Sequence, residues 1–323
     1  MNATRDLAIL LPGKINPRVV ERLEREFDMI RIAEGDPALI PGEAVKRIRG
    51  IAVHGPVRAN LIDALPNLEI VSSFGVGYDP VDVPHCVSRN IMVTHTPDVL
   101  TEEVADTVLG LLLNTVRELA KSEVYLRSGR WAREGEYPPT RSTLRGRHVG
   151  IYGMGRIGTA IARRLEAMQL KVSYHNRRRS EGVAYDYHPT LLDLARAVDT
   201  LICVAPGGPL TAHAVNAEVL AALGPEGVLI SAGRGSSVDE AALIEALRSG
   251  RIRAAGLDVF ASEPNINPVL LEFPNVTLQP HMGSATQHTR NAMSDLVVDN
   301  LVSWFSTGAP LTSVPETRAL KRP

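Results

Sequence analysis

The chain has 323 residues, 44% of them hydrophobic and 22% charged, and its formal net charge is −1. A chain of this length and composition can bury a large core and has room for about two domains. The near balance of charge disfavours nucleic acid and anionic membranes as partners, since both attract basic surfaces, and no apolar run approaches the roughly eighteen residues of a membrane span.

Short β-rich runs alternate with helical patterns along the first hundred or so residues. The predicted strands are LAILL (7–11), GIAVHG (50–55), LEIVSSFG (68–75) and IMVTHT (91–96). Helical segments such as PRVVERLEREF (17–27) separate them. Alternation of this kind is typical of parallel βαβ units.

A long helix is predicted next, over residues 102–119, with Thr101 as its cap and acidic residues in its first turn. It is apolar around much of its circumference, which is more than one buried face of a monomer requires. The following segment, 121–147, is rich in glycine, proline and charge and contains Trp131, one of only two tryptophans. Because exposed aromatic side chains often anchor interfaces, we expect a second surface to cover this region.

The alternation restarts in the second half with six more predicted strands. They are HVGIY (148–152), KVSYH (171–175), TLICVA (200–205), GVLISAG (227–233), AAGLDVF (254–260) and VTLQPH (276–281). Helical patterns separate them, the clearest at 238–250. Strands with crossovers of this kind predict a dinucleotide-binding sheet. The segment 291–308 is also helical, and we expect it to pack back on the first half and close a discontinuous domain.

Gly153, Gly155 and Gly158 form a G-x-G-x-x-G pattern between a predicted strand and a predicted helix. The pattern alone is weak, because tight turns need glycine anyway, but the strand–turn–helix context is what a dinucleotide fingerprint requires. In such a site the first glycine allows the tight turn and the second lets the backbone approach the pyrophosphate. The third allows close packing of helix and strand, with phosphate at the helix N-terminus.

The end of the next strand bears on the choice between NADPH and NADH. An NAD site usually places Asp or Glu about twenty residues after the first glycine, on the ribose 2′-hydroxyl. This chain has His175 and Asn176 there, followed by Arg177, Arg178 and Arg179. A carboxylate would repel a 2′-phosphate, whereas guanidinium groups bind it. We therefore expect NADPH to be preferred, with NADH possible; the third arginine fits a solvent-exposed position equally well.

Later strand ends carry side chains suited to carbonyl reduction. Arg234 lies in SAGRG, Asp258 and Glu263 lie in GLDVFASEP, and His281 lies in QPHMGSAT. Each alone is compatible with a structural role, as a helix-flanking charge, a surface acid or a core histidine. Ligands collect at the carboxyl ends of strands in such sheets, so four of these residues on consecutive strand ends favour a catalytic site.

The sequence resembles the D-isomer-specific 2-hydroxyacid dehydrogenase family over essentially its full length. The segments that carry the resemblance are GIYGMGRIGTAIARRLEAM, ISAGRGSSVDEAALIEAL, AAGLDVFASEP and PHMGSAT. The resemblance implies an α/β fold of two doubly wound parallel-sheet domains, a flavodoxin-like substrate domain and a Rossmann cofactor domain, with a cleft between them. The substrate domain would comprise residues 1–98 and 288–323. The NAD(P)-binding domain would comprise 99–287, including a dimerisation helix and arm at 100–147.

The resemblance also implies roles for individual residues. The proton donor would be His281, with Glu263 as its partner, and Arg234 would anchor the substrate. The implied substrate contacts are Arg234, Ser284 and the backbone N–H groups of Val76 and Gly77. The implied cofactor contacts are Gly153, Gly155, Arg156, Ile157, Gly158, Asn176, Arg177, Arg178, Pro206, Thr211, Ala232, Asp258, His281 and Gly283.

Two departures from the common family pattern favour its NADPH-linked glyoxylate and hydroxypyruvate reductases. The segment VAPGGPLT (204–211) lacks the usual histidine, and YHNRRR (174–179) replaces the acidic ribose ligand. The implied activity is NADPH-dependent reduction of a small 2-oxo acid to the D-2-hydroxy acid by hydride transfer, in a homodimer. A reductase of bulkier 2-oxo acids, such as arylpyruvates or keto-sugar acids, is an alternative, because the expected pocket loop HGPVRAN (54–60) does not distinguish them. A dinucleotide-sensing, corepressor-like binding protein is the other alternative, disfavoured by the complete catalytic set.

Cysteine usage and the start of the chain bear on the compartment. The only cysteines are Cys86 and Cys203, which suggest neither a disulfide framework nor a metal site. Residues 1–13 have an acidic residue and a strand-like pattern where a signal peptide would have a basic end and a long apolar run. We therefore expect a cytoplasmic protein without a bound metal.

Overall fold

The computed structural model describes residues 7–322, and these form two compact units. The first unit contains residues 7–100 and 285–322, and the second is Thr101–Ser284. The units meet at 100/101 and 284/285, and the predicted domain boundaries were 98/99 and 287/288. The first six residues of the segment used to judge a signal peptide lie outside the described residues.

The first unit is built on a sheet of five parallel strands. They are β1 (Ala8–Pro12), β2 (Asp28–Ile32), β3 (Ile48–Val53), β4 (Ile70–Ser73) and β5 (Met92–Thr94). Their order, β2-β1-β3-β4-β5, is that of the flavodoxin-like fold. The helices of this unit are α1 (Pro17–Glu26), α2 (Ala59–Asp63), α3 (Val83–Ser88) and α11 (Gln287–Thr307).

The C-terminal helix α11 returns to the first unit and packs on β4 and α1. Its Trp304 is 1% exposed and donates from Nε1 to Glu69 Oε2 at 3.2 Å. On its outer side, Asp295 accepts from Arg18 Nε at 2.7 Å. The helix therefore contributes both a large buried aromatic side chain and surface ion pairs to the first unit.

The second unit is built on a sheet of seven parallel strands. They are β6 (His148–Tyr152), β7 (Lys171–His175), β8 (Asp186–Tyr187), β9 (Thr200–Cys203), β10 (Val228–Ser231), β11 (Ala254–Leu257) and β12 (Val276–Leu278). Their order, β12-β11-β10-β9-β6-β7-β8, reverses between β6 and β9, as in a doubly wound Rossmann sheet. Helices α7 (Arg156–Ala167), α8 (Leu191–Ala197), α9 (Ala217–Leu223) and α10 (Glu240–Arg248) connect these strands. The predicted α/β class with two parallel-sheet domains is confirmed.

Two strands were not predicted from the sequence, and both lie at a sheet edge. The edge strand β2, DMIRI, has a buried side chain only at its last position, so its polar residues do not form the apolar run of a central strand. The other, β8, has only two residues. The six strands predicted in the second half are all present.

The predicted long helix is interrupted. It ends as α4 (Thr101–Arg117), and the chain continues as α5 (Leu119–Arg127) and α6 (Arg130–Glu134). The break lies at Glu118, whose φ of +52° is left-handed, and Asn114 Oδ1 accepts from Ala120 N at 2.8 Å beyond it. The helix predicted over 102–119 therefore ends two residues early, and the region after it contains two further helices.

Most of the apolar side chains of α4 are buried within the second unit. Seven of its residues are buried there: Val104, Ala105, Val108, Leu111, Leu112, Thr115 and Val116. Large exposed apolar side chains occur instead on the two following helices, at Leu119, Val124, Leu126 and Trp131. Burial of α4 thus does not require a second chain, and the unpaired apolar surface belongs to α5 and α6.

Candidate functional site

The glycine-rich turn after β6 is shaped by close backbone contacts. Gly153 has a φ of +107°, and a Cβ there would lie 2.6 Å from Ala205 N. A Cβ on Gly158 would lie 2.3 Å from the carbonyl oxygen of Gly153. At Gly155, in contrast, a Cβ would meet no atom within 4 Å. The turn is thus closed on the protein side and open at the start of α7, where unpaired helix N–H groups suit a pyrophosphate.

The side chain of Asn176 binds the glycine-rich turn. Its Oδ1 accepts from Met154 N at 2.8 Å, and its Nδ2 donates to Met154 O at 3.2 Å. The same Nδ2 donates to Ser180 Oγ at 2.7 Å. The sequence prediction placed Asn176 at the cofactor, and the structure places its amide between two loops of the protein.

The arginines that follow Asn176 point to solvent. Arg177 and Arg178 are exposed, and neither makes a hydrogen bond or ion pair within the part of the chain that the structure describes. Arg179 is also exposed and lines a shallow cavity together with His148 and Lys171. Two guanidinium groups beside the glycine-rich turn are therefore available to an anion.

A carboxylate–imidazole pair lies beyond the ends of β11 and β12. Glu263 Oε2 is 2.7 Å from His281 Nδ1, and Glu263 Oε1 accepts from Phe260 N at 2.9 Å. Because a carboxylate accepts only, the histidine donates from Nδ1 in this bond. His281 is 48% exposed at its side chain, so Nε2, on the opposite side of the ring, is the nitrogen that a ligand would meet.

Asp258 holds the backbone that carries this histidine. The residue is 1% exposed, and its two carboxylate oxygens accept from Met282 N at 2.7 Å and Gly283 N at 3.0 Å. Its own carbonyl oxygen accepts from His281 N at 2.9 Å. Burial raises the pKa of the Asp258 carboxyl, and the two N–H donors oppose that rise. Sequence reasoning placed Asp258 near the cofactor and missed this clamp.

Arg234 follows β10, next to the segment that carries Glu263. A Cβ on Gly235 would lie 1.8 Å from Phe260 O, so the loops after β10 and β11 are in backbone contact. The Arg234 side chain is half-buried and donates from Nη1 to Gly233 O at 3.0 Å. Parallel pairing of β10, β11 and β12 thus brings Arg234, Glu263 and His281 to adjacent strand ends.

The other predicted cofactor residues lie on the loops of the same unit. Thr211 Oγ1 donates to Pro206 O at 2.7 Å, which closes the loop after β9. Ala232 N donates to Cys203 O at 3.0 Å. A Cβ on Gly283 would lie 3.2 Å from the Asp258 carboxylate. The remaining predicted contacts are exposed or half-buried: Arg156 and Ile157 in the first turn of α7, and Ser284 after Gly283.

In the first unit, Val76 and Gly77 follow β4 in a turn fixed by the residues after β5. Thr96 N donates to Gly75 O at 2.8 Å, and Gly75 N donates to Thr96 Oγ1 at 3.1 Å. His95 Nδ1 donates to Val76 O at 2.9 Å. The N–H groups of Val76 and Gly77 have no acceptor among the described residues. Sequence reasoning missed His95 and Thr96, because neither contact follows from sequence spacing.

Helices long and apolar enough to cross a membrane were sought among the described residues, and none was found.

The family of D-isomer-specific 2-hydroxyacid dehydrogenases matches through its NAD-binding domain over residues 109–283.

A solved structure of an NADPH-dependent glyoxylate/hydroxypyruvate reductase from Sinorhizobium meliloti, in complex with NADP and malonate, is 58% identical to this chain. The match has a TM-score of 0.96 and covers 98% of this chain and 99% of that one. A glyoxylate/hydroxypyruvate reductase of Arabidopsis thaliana is 44% identical and covers 95% of this chain and 99% of its own. A hydroxyphenylpyruvate reductase of Plectranthus scutellarioides is 42% identical, covering 94% and 97%. The chain therefore belongs to the D-isomer-specific 2-hydroxyacid dehydrogenase family and is an oxidoreductase with an NAD(P)-binding domain.

Proposed function

We propose that this enzyme uses NADPH to reduce a small 2-oxo acid of the glyoxylate or hydroxypyruvate type to the D-2-hydroxy acid. The observation that carries the proposal is the pair of exposed arginines, Arg177 and Arg178, which make no hydrogen bond or ion pair with any described residue. They stand at the position where a ribose-binding carboxylate would instead select NADH. The names of the Sinorhizobium and Arabidopsis relatives support the same substrate class.

The geometry of the second unit supports the proposed cofactor roles. The open start of α7, with Gly155, Arg156 and Ile157, receives the pyrophosphate, while Gly153 and Gly158 shape the turn. Arg177 and Arg178 bind the 2′-phosphate through charge-assisted hydrogen bonds. The residues assigned to the rest of the dinucleotide are Asn176, Pro206, Thr211, Ala232, Asp258, His281 and Gly283.

When bound in this site, NADPH would supply the hydride that reduces the carbonyl carbon of the 2-oxo acid. Negative charge then develops on the carbonyl oxygen, and His281 donates a proton to it from Nε2. Glu263 fixes the ring through Nδ1, so that Nε2 faces the substrate. Arg234 stabilises the developing charge with its guanidinium group.

The substrate carboxylate is assigned to the N–H groups of Val76 and Gly77, with Ser284 as a further contact. Adjacent backbone N–H groups bind an anion without adding a charged side chain. His95 and Thr96 fix that turn through Val76 O and Gly75. They therefore act as positioning residues for substrate binding.

The cofactor assignment is tested by kcat/KM with NADPH and with NADH. Replacing both Arg177 and Arg178 by Ala should reduce the NADPH:NADH ratio about 10²-fold or more, since each charge-assisted bond contributes about 1.5–3 kcal/mol. Arg145→Ala, at an exposed arginine elsewhere in the unit, serves as the control and should leave the ratio unchanged. A wild-type enzyme that prefers NADH would show that the arginines are only solvated surface.

The substrate assignment is tested by a panel of 2-oxo acids at fixed NADPH. Glyoxylate and hydroxypyruvate should have the highest kcat/KM. The hydroxyphenylpyruvate reductase among the relatives supports a second candidate, a reductase of bulkier 2-oxo acids. Higher kcat/KM with arylpyruvates or keto-sugar acids would favour that candidate and reject the small-acid assignment.

We also propose that the enzyme is a homodimer that uses the exposed apolar surface of α5 and α6. Trp131 on α6 is 59% exposed and Val124 on α5 is 65% exposed, and exposed apolar patches often mark protein–protein interfaces. Sedimentation showing a monomer at micromolar concentration would reject the dimer. Trp131→Ala should raise KM across the 2-oxo acid panel if this side chain helps form the partner's pocket; unchanged KM in a stable dimer would reject that role.

A cytoplasmic location is supported by the two cysteines. Cys86 and Cys203 are both buried free thiols, and burial raises the pKa of each to about 12. Unpaired thiols suit a reducing compartment. Fractionation of the source cells, with the NADPH-dependent activity as the readout, tests the assignment: activity in the cytoplasmic fraction is expected.

A further inference from the structure

The three arginines lie on a short loop whose two ends are tied together. This arginine loop comprises residues 176–180, and Asn176 Nδ2 donates to Ser180 Oγ at 2.7 Å across its base. Tyr187 Oη donates to Asn176 O at 3.2 Å. At the other end, Ser180 N donates to Tyr174 Oη at 3.0 Å. Tyr174 Oη also donates to Ser180 O at 3.5 Å. Four hydrogen bonds therefore fix the base of the loop and leave its arginine side chains exposed.

The tyrosines that hold the loop belong to the sheet. Tyr174 lies in β7 and is 0% exposed, and Tyr187 lies in β8. The two residues are partners in the strand register, and their ring centroids are 5.4 Å apart. The two-residue edge strand thus carries the hydroxyl that binds one end of the arginine loop.

The arginine loop is also tied to the glycine-rich turn. Asn176 bonds to both the N–H and the carbonyl oxygen of Met154, and it is the residue that bonds to Ser180. Fixing one backbone residue costs roughly 1–2 kcal/mol in conformational entropy. A loop that is ordered before the ligand arrives removes that cost from binding.

We propose that Ser180 and Tyr187 are positioning residues for NADPH, which hold the arginine loop in place before the dinucleotide binds. They act through Arg177 and Arg178 and so raise affinity for a 2′-phosphorylated dinucleotide above that for NADH. The inference rests on the proposed preference for NADPH and extends it to residues outside the phosphate site. Loss of either hydroxyl frees the loop and weakens NADPH binding selectively.

The variants Ser180→Ala and Tyr187→Phe each remove one hydroxyl, and Ser180→Thr keeps it. Ser249→Ala is the control, because the hydroxyl of that exposed serine also makes one hydrogen bond, donating to Glu245 O at 2.6 Å in the same unit. Dissociation constants for NADPH and NADH are measured by titration calorimetry. Trypsin cleavage after residues 177–179 is followed by mass spectrometry in the cofactor-free protein.

In Ser180→Ala and Tyr187→Phe, we expect the NADPH dissociation constant to rise about fivefold or more, as for one lost hydrogen bond. The NADH constant should stay within about twofold and kcat at saturating NADPH should be unchanged, since the arginines contribute only to 2′-phosphate binding. Cleavage in the loop should accelerate several-fold. Ser180→Thr and Ser249→Ala should behave as wild type.

Faster cleavage with an unchanged NADPH constant would overturn the inference and leave the proposed cofactor intact. Equal weakening of NADPH and NADH would also overturn it, because it would show a general structural role. Unchanged cleavage would show that the hydroxyls do not hold the loop. A wild-type preference for NADH, measured in the same titration, would overturn the proposed function and this inference with it.

Discussion

Asp258→Asn tests whether Asp258 supports turnover by holding the backbone that carries His281. The wild-type carboxylate accepts from Met282 N at 2.7 Å and from Gly283 N at 3.0 Å. Asparagine has the same shape but a single acceptor oxygen, so its NH₂ group would face one of the two donors. A hydrogen bond to a charged group contributes about 1.5–3 kcal/mol, and about 1.4 kcal/mol is a factor of ten. We therefore expect kcat to fall about ten- to a hundredfold.

The effects of Asp258→Asn on kcat and on stability should both change with pH. Burial raises the pKa of the Asp258 carboxyl above its ordinary value of 3.8, against the effect of the two N–H donors. Protonation in acid removes one acceptor, so wild-type kcat should fall towards that of the variant as pH drops through the raised pKa. The stability of wild type relative to the variant should rise over the same pH range. The folded state binds this proton more readily than the unfolded chain, so wild type should gain free energy of unfolding relative to the variant as pH falls.

The assay is kcat at saturating NADPH and 2-oxo acid across the acid range, with denaturant unfolding at the same pH values. Asp193→Asn, at an exposed carboxylate on α8, is the control and should leave kcat unchanged. Wild-type kcat in Asp258→Asn would refute the reasoning. A loss confined to the KM of the 2-oxo acid would also refute it, because Asp258 holds the backbone of the proposed proton donor, His281.

Three further predictions follow from single contacts. His281→Ala should reduce kcat about 10²-fold or more, the usual scale for a lost general acid, and near-normal turnover would exclude His281 as the donor. Gly158→Ala, with a Cβ 2.3 Å from Gly153 O, should cost about 1–3 kcal/mol of unfolding free energy, whereas Gly155→Ala should keep wild-type stability and weaken only dinucleotide binding. Burial lowers the pKa of His148 below 6.5, so the free energy of unfolding should fall as pH drops below that value. His148→Gln should flatten this dependence of the unfolding free energy on pH. Parallel curves for wild type and variant would show that His148 is not its cause.

Sequence patterns predicted the fold well where strands are central and less well at the edges. Central strands such as β9 and β10 are buried at every position and form apolar runs between turn residues. The edge strand β2 is paired on one side only and keeps polar side chains, so its sequence has no such run. The break at Glu118 was missed because glutamate in a left-handed conformation has no sequence signature comparable to glycine.

The candidate site was predicted through strand ends, since parallel strands bring their carboxyl ends to one edge of a sheet. That argument placed Arg234, Glu263 and His281 together, and the bond between Glu263 and His281 fits it. It did not reveal what the other polar residues bind. Asp258 and Asn176 were assigned to the cofactor by position, but sequence position does not show which backbone groups lie within hydrogen-bonding distance.

Asp258 and Asn176 bind backbone groups of the protein for the same physical reason. Each stands at a strand end beside a loop whose backbone N–H or carbonyl group needs a partner, and each has a short, planar side chain with two polar atoms. Asp258 supplies two acceptors to two N–H groups, whereas Asn176 supplies an acceptor and a donor to the N–H and carbonyl of Met154. Asparagine at position 258 would therefore put an NH₂ group against an N–H donor, and aspartate at position 176 would put a carboxylate oxygen against a carbonyl oxygen. The side chains of Arg177 and Arg178, in contrast, are exposed and make no hydrogen bond or ion pair with the described residues, as the proposed 2′-phosphate site requires.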